Sequence, residues 1–183
     1  MRAVLKQVRR RGKDVLLCVA VSAPAGERPL HVTLPAAAYL AVGEIPEGTV
    51  LDRGMYEALC AEADSRACLK KTFDLLSLSP HSRRALTEKL RARGYLAASV
   101  DAAVTEAVER GYLDEDAQLA RLRQLGEEKR RSARYMYAAL CRKGYRPEAV
   151  RAALDGYPDT AIRAAILAEE GPEALPRHGF APE

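Results

Sequence analysis

The sequence predicts a mainly α protein: tandem three-helix repeats forming an elongated curved array, preceded by a small β-rich N-terminal module. Three observations carry this class. The stretch before Arg53 clusters or alternates its apolar residues as strands do. From Met55 onward the apolar spacing changes to three and four. One ending, basic residues followed by Gly-Tyr, is written twice: in KLRARGY up to Tyr95, and 50 residues later in LCRKGY up to Tyr145.

In the first module, AVLKQV and DVLLCVAV flank Arg10-Arg11-Gly12-Lys13, where glycine permits the tight reversal of a hairpin. LHVTL, Leu30 to Leu34, alternates as a half-buried strand does. PAAAYLAVG predicts a short helix with Pro35 at its first turn and Gly43 past its end, and EGTVLD a last short strand. Basic residues before the apolar run Val15 to Val21 have the order of a secretion signal. That run is short for a signal core, and a buried strand is the expectation.

The helical part begins with Met55, Leu59 and Ala63, then Leu69, Phe73 and Leu76, as inward positions. Ser79-Pro80 reads as an N-cap with proline at the first helical position. The next helix carries Leu86 and Leu90 and stops at Gly94; another starts near Ala97, carries Val100, Val104 and Val108, and stops at Gly111. Asp114, Glu115 and Asp116 set carboxylates where a helix N-terminus favours negative charge. That helix turns Leu119, Leu122 and Leu125 inward. Ser132 caps the following one, with Met136 and Leu140 leading to Gly144. Pro147 opens a short helix with Val150 and Leu154, ending at Gly156.

A glycine just past a helix adopts the left-handed conformation at no steric cost, and the hydrophobic residue after it folds back on the last turn. Gly94-Tyr95, Gly111-Tyr112 and Gly144-Tyr145 are therefore expected to be structural caps, and Gly156-Tyr157 and Gly179-Phe180 have the same form. Stacking of these rings on nucleic-acid bases is the lesser expectation.

Sliding the chain by 50 residues aligns more than the ending. Ser82, Arg84, Leu90, Gly94, Tyr95, Val100 and Ala103 meet Ser132, Arg134, Leu140, Gly144, Tyr145, Val150 and Ala153. Repeats of this length stack on their neighbours because none buries a core alone. The predicted organisation is a module over 1–52, a first repeat with its leading helix over 53–113, a second over 114–157, and a truncated third with a tail over 158–183. The third is shortened because Gly179-Phe180 follows Gly144-Tyr145 by 35 residues rather than 50.

Composition narrows the function classes. The 183 residues are 48% hydrophobic, ample for a core, and no apolar run approaches the roughly 20 residues of a membrane span. Cys18, Cys60, Cys68 and Cys141 lie far apart with no CxxC, so buried reduced thiols in a cytoplasmic protein are expected, with no metal and no cofactor. His31, His81 and His178 have no evident nucleophile or carboxylate partner, and no phosphate-cradling glycine loop is present. The expectation is that the protein is not an enzyme.

At this point the sequence resembles the RecX regulatory proteins, over most of residues 1 to 157. The carrying stretches are SRRALTEKLRARGY (Ser82 to Tyr95), VTEAVERGYLDED (Val104 to Asp116), QLARLRQLGEEK (Gln118 to Lys129) and YAALCRKGYRPEAV (Tyr137 to Val150). They match the family's Ser-x-x-x-Leu-x-x-x-Leu ending in basic-Gly-aromatic, then Gly-aromatic-Leu-acidic opening the next repeat. The β-rich start is similar to the leading segment of RecX proteins from Gram-positive lineages. The chain departs in having Arg131-Ser132 where many members have Gly-Pro, and in the shortening after Gly171-Pro172. The resemblance implies a cytoplasmic modulator of the RecA recombinase in DNA repair, DNA recombination and the SOS response. Such a protein lies along the RecA–DNA filament and inhibits its extension, ATP hydrolysis and strand exchange. It implies a monomer with weak single- or double-stranded DNA affinity without sequence preference, no membrane association and no catalytic step.

The formal net charge is only +4, so an electrostatic argument needs local clustering. Between Ala120 and Arg151, ten Lys or Arg face three Glu, a local balance of +7. The filament- or DNA-contact candidates are Arg121, Lys129, Arg130, Arg131, Arg134, Arg142 and Lys143 in the second repeat, with Arg83, Arg84, Lys89, Arg91 and Arg93 in the first. Groups recurring once per repeat can line one surface and follow a phosphate backbone or acidic protein faces. A solvated helix face would carry such charges equally well. Two other classes stay open: a helical protein that binds DNA directly, marked by sequence preference at physiological salt, and a helical adaptor for another protein.

Overall fold

The computed structural model describes residues 2–23 and 26–181. The chain divides into two compact units, Met1–Lys71 with Arg93–Ala103, and Thr72–Ala92 with Val104–Glu183. The fold is mainly α, with a four-stranded antiparallel sheet at the N-terminal end, as the sequence predicts.

In the first unit, β1 (Arg2–Arg11), β2 (Asp14–Ala23), β3 (Gly26–Pro35) and the two-residue β4 (Val50–Leu51) form a sheet in the order β3-β2-β1-β4. Arg11 pairs with Asp14, so Gly12-Lys13 is the whole hairpin loop, and Gly12 takes φ 64. Alternate residues of the strands point to one face: Leu5, Val15, Leu17, Val19, Val32 and Leu34 are buried there with Leu59 of α2. The short α1 (Ala36–Ala41) follows Pro35 and contributes Tyr39, whose hydroxyl donates to the Ile45 carbonyl at 2.6 Å. Burial, then the nearby Glu44 carboxylate, pushes the Tyr39 phenol above its ordinary value.

Helix α2 (Arg53–Leu78) runs 26 residues without a break. Its buried stripe passes through Leu59, Cys68, Thr72 and Leu75, whereas Leu69, Phe73 and Leu76, expected inward, are only partly buried. Cys68 and Thr72 are small, and a count of bulky apolar residues misses them. Three of the four cysteines are partly exposed, and only Cys68 is fully buried.

The helices that follow are α3 (Arg83–Arg91), α4 (Ala97–Glu109), α5 (Glu115–Glu128), α6 (Ala133–Arg142), α7 (Pro147–Ala153) and α8 (Asp159–Glu169), then a 3-10 helix, Pro172–His178. Helices α2 and α4 contribute residues to both units. Ser79-Pro80 is not a cap: both residues are exposed in the link after α2, and α3 starts four residues later at Arg83 with Ser82 as its N-cap. In the second unit Leu119, Met136, Leu140, Tyr145 and Val150 form one core, and Ile162, Ile166, Ala174 and Leu175 another. Leu125 is 40% exposed, contrary to its spacing. Gly126 takes the inward place, and a Cβ there would lie 2.8 Å from the Met136 side chain, so α5 and α6 meet where α5 has no side chain. Among the described residues, no helix is long and apolar enough to cross a membrane.

Candidate functional site

The second unit is organised by a junction that it builds twice. Ser82 and Ser132 hold extended backbone at the starts of α3 and α6, as N-cap residues do. Ser82 Oγ accepts from the Ala85 N–H at 3.2 Å and donates to the Lys143 carbonyl at 2.7 Å. Ser132 Oγ accepts from the Tyr135 N–H at 3.1 Å and donates to the Gly179 carbonyl at 2.7 Å. A hydroxyl can do both at once. A carboxylate from the first turn of the second helix onward completes each start: Glu115 of α5 accepts from the Arg83 N–H at 2.9 Å, Asp159 of α8 from the Ala133 N–H at 2.7 Å.

Left-handed glycines hold the other side of each junction. Gly94, Gly111, Gly144, Gly156 and Gly179 all have φ between 62 and 89. After α6, the Tyr145 N–H reaches the Leu140 carbonyl and the Gly144 N–H that of Cys141, the paired bonds of a Schellman cap. Gly111-Tyr112 and Gly179-Phe180 make the same pair of bonds, to Ala107 and Val108 and to Leu175 and Pro176. The rings have different surroundings. Tyr145 is buried and donates to Gln118 at 2.7 Å, and burial, with Glu115 nearby, raises its phenol above the ordinary value. Tyr112 is 61% exposed, with its edge against Phe73 at 5.0 Å between centroids. Tyr95 is partly buried.

The candidate cations separate into those engaged by their own chain and those exposed to solvent. All but Arg93 lie in the second unit. Arg84 pairs with Glu88 at 2.8 Å, and that hydrogen-bonded carboxylate raises its guanidinium above the ordinary value. Arg130 pairs with Glu169 at 2.6 Å and Glu170 at 3.4 Å, with the same effect, chiefly from Glu169. Arg131 donates to the Arg177 carbonyl and lies 4.9 Å over the Tyr135 ring. Lys89 meets His81 Nε2 at 2.6 Å. Arg91 and Arg93 are exposed and also have partners within the chain. Arg83, Arg121, Lys129, Arg134, Arg142 and Lys143 are also exposed, and among the described residues none of these six makes an ion pair.

Three residues absent from the candidates belong in this account. Arg123 donates to the carbonyls of Ala153, Asp155 and Gly156 at 3.0, 2.7 and 3.1 Å and lies 5.8 Å over the Tyr157 ring, so it closes the C-terminus of α7. Its i+4 spacing to Glu127 was visible; its reach to α7 was not. His81 is 94% buried at the first junction, where only its place before the capping serine marked it. Arg146 joins Arg83, Arg84 and Arg91 around a cleft of about 480 Å³ that also holds Glu88 and Glu115. Among the described residues, no group of His, Cys, Asp and Glu is placed to hold a metal ion.

Neither a protein-family model nor a curated protein matches the sequence. Solved structures do match. The crystal structure of a regulatory protein RecX is 14% identical, with a TM-score of 0.64 over 99% of this chain and 86% of the other. RecX from Lactobacillus salivarius is 12% identical, with a TM-score of 0.54 over 64% of this chain and 89% of the other. The chain thus has the fold of the RecX regulatory proteins.

Proposed function

We propose that the protein is a RecX-type regulator that binds the RecA–DNA filament and restrains its extension, ATP hydrolysis and strand exchange. The observation that carries this reading is the agreement of fold with a RecX protein along 99% of the chain, on a sequence that repeats that family's Ser-to-Gly-Tyr motif. The exposed cations Arg121, Lys129 and Arg134 support it, because charges without a partner in their own chain are available to an acidic or phosphate surface. The protein acts from the cytoplasm, as a monomer, without catalysing a reaction.

The test is RecA-driven, DNA-dependent ATP hydrolysis and strand exchange with substoichiometric protein and the cognate recombinase. Inhibition is expected, and Arg121→Gln, Lys129→Gln and Arg134→Gln together should weaken it. Arg130 and Arg131 are poor choices for this set, since removing either also disturbs the contact of the turn between α5 and α6 with the end of α8 or the segment after it. Absence of any effect at low and physiological salt would remove the reading. Sequence preference for DNA without recombinase would replace it with direct DNA recognition.

A further inference from the structure

The junctions at Ser82 and Ser132 share a backbone design and differ in charge. Beside Ser82 is a pocket of about 370 Å³, lined by His81, Lys89, Arg142 and Lys143 and, among the described residues, by no carboxylate. His81 is 6% exposed, and its Nδ1 lies 2.6 Å from the Ser79 carbonyl oxygen. A carbonyl only accepts, so Nδ1 carries the hydrogen and Nε2 accepts from the Lys89 ammonium at 2.6 Å. The ring thereby orients that ammonium beside the pocket. Arg142, in the last turn of α6, and Lys143, its C-cap, add two exposed cations.

At the second junction Ala139 stands where Lys89 does, and the nearby Arg131, Arg130 and His178 have partners in their own chain. Arg131, which takes the place of His81, turns onto the Arg177 carbonyl and the Tyr135 ring. Arg130 meets Glu169 and Glu170, and His178 Nε2 lies 3.4 Å from Glu170. Holding two helices together needs only the serine, the glycine and the carboxylate, which both copies have. The cationic pocket of the first copy is surplus to that task.

We propose that the pocket beside Ser82 binds a phosphate group, held by Lys89, Arg142 and Lys143. The proposal deepens the filament reading by giving one contact its chemistry, and it rests on that reading only for the molecule that carries the phosphate. A nucleic-acid backbone diester and a free phosphate monoester present the same oxygens to these cations.

The experiment uses the full chain without recombinase. Inorganic phosphate and an unphosphorylated deoxythymidine oligomer are titrated separately at matched ionic strength, and the imidazole resonances of the three histidines are followed. A shift at His81 that leaves His31 unmoved is expected. If the oligomer produces it and inorganic phosphate does not, the ligand is the backbone diester; the reverse identifies a free phosphate. A silent His81 with both probes overturns the proposal. With the oligomer, Arg142→Gln plus Lys143→Gln should reduce the slope of log affinity against log salt by about 1.4, two contacts at about 0.7 each for a single strand. Arg142→Lys should keep the native slope. An equal fall in Arg9→Gln plus Arg11→Gln, a matched charge change on β1, overturns the proposal by showing that only net charge matters. Recombinase inhibition with a silent His81 removes this site and leaves the proposed function; a His81 response without inhibition does the opposite.

Discussion

Ser82 Oγ donates to the carbonyl oxygen of Lys143 at 2.7 Å across 61 positions of sequence, while accepting from the Ala85 N–H three residues away. One hydroxyl thus starts a helix and ties it to the cap of the next repeat. Ser132 repeats the arrangement with Tyr135 and Gly179. Both serines are at most 2% exposed, so water does not readily replace either bond. Ser82→Ala and Ser132→Ala are each expected to destabilise the protein by roughly 1–3 kcal/mol, the loss of a cap plus a part-buried hydrogen bond to a carbonyl. Urea unfolding measures this, and a cost near zero in either variant would show that the hydroxyl is not a tie.

The left-handed glycines should not respond alike to alanine. At Gly111 a Cβ would meet nothing within 4 Å, so Gly111→Ala costs only backbone strain, roughly 1–2 kcal/mol. At Gly144 the Cβ would lie 2.7 Å from Ser82 Oγ and 3.4 Å from the Ala85 nitrogen. At Gly179 it would lie 2.5 Å from Tyr135 Cβ and 2.9 Å from Ser132 Oγ. Gly144→Ala and Gly179→Ala should therefore exceed Gly111→Ala in denaturant unfolding, because the junction must open as well as strain. Equal losses at all three would mean that conformation alone selects glycine here.

These comparisons show which features a sequence can display. Hairpin, helices and the serine cap of α6 are local: each depends on residues within a turn of one another, and Gly12, Ser132 and Gly144 announce them. Inward faces were harder. Gly126 and Thr72 occupy buried positions because they are small, while Leu125 and Leu69 beside them are larger and less buried. Charge was legible, and its use was not. Arg84, Arg130 and Arg131 look like Arg121 and Arg134 in the sequence, yet they are held by Glu88, by Glu169 and Glu170, and by the Arg177 carbonyl. Those last partners lie about 40 residues away, beyond any periodicity.

Alkaline pH tests the second junction through Tyr157. Its hydroxyl donates to the Arg131 carbonyl at 2.9 Å, and burial, helped by Glu127 and Asp159, pushes the phenol up to about 12 from 10.0. The folded state therefore binds this proton more tightly than the unfolded chain does. The contribution is fully present below pH about 10 and is lost as pH rises toward about 12. Tyr157→Phe should cost about 1 kcal/mol at neutral pH for the missing hydrogen bond and should lose less stability than the native chain across that interval. Parallel slopes of stability against pH in the two proteins would contradict it.

Arg130 carries the last prediction because it stands where a glycine would be easier. At the end of α5 the Arg131 N–H reaches the Gly126 carbonyl at 2.8 Å and the Arg130 N–H that of Glu127 at 2.9 Å, the bonds of a Schellman cap. Arg130 fills the left-handed position with φ 51, which a side chain disfavours. The ion pairs with Glu169 and Glu170 give the reason for keeping a side chain there, since they connect this turn to the end of α8. Two substitutions separate strain from contact. Arg130→Gly loses the ion pairs and relaxes the backbone; Arg130→Ala loses the ion pairs and keeps the strain. The alanine variant should melt below the glycine variant by roughly 2–4 °C. Added salt should narrow the gap between the native chain and the glycine variant, because exposed ion pairs are screened, and should leave the gap between the two variants unchanged. If alanine and glycine melt together, the left-handed turn is not strained, and the arginine needs no compensating partner.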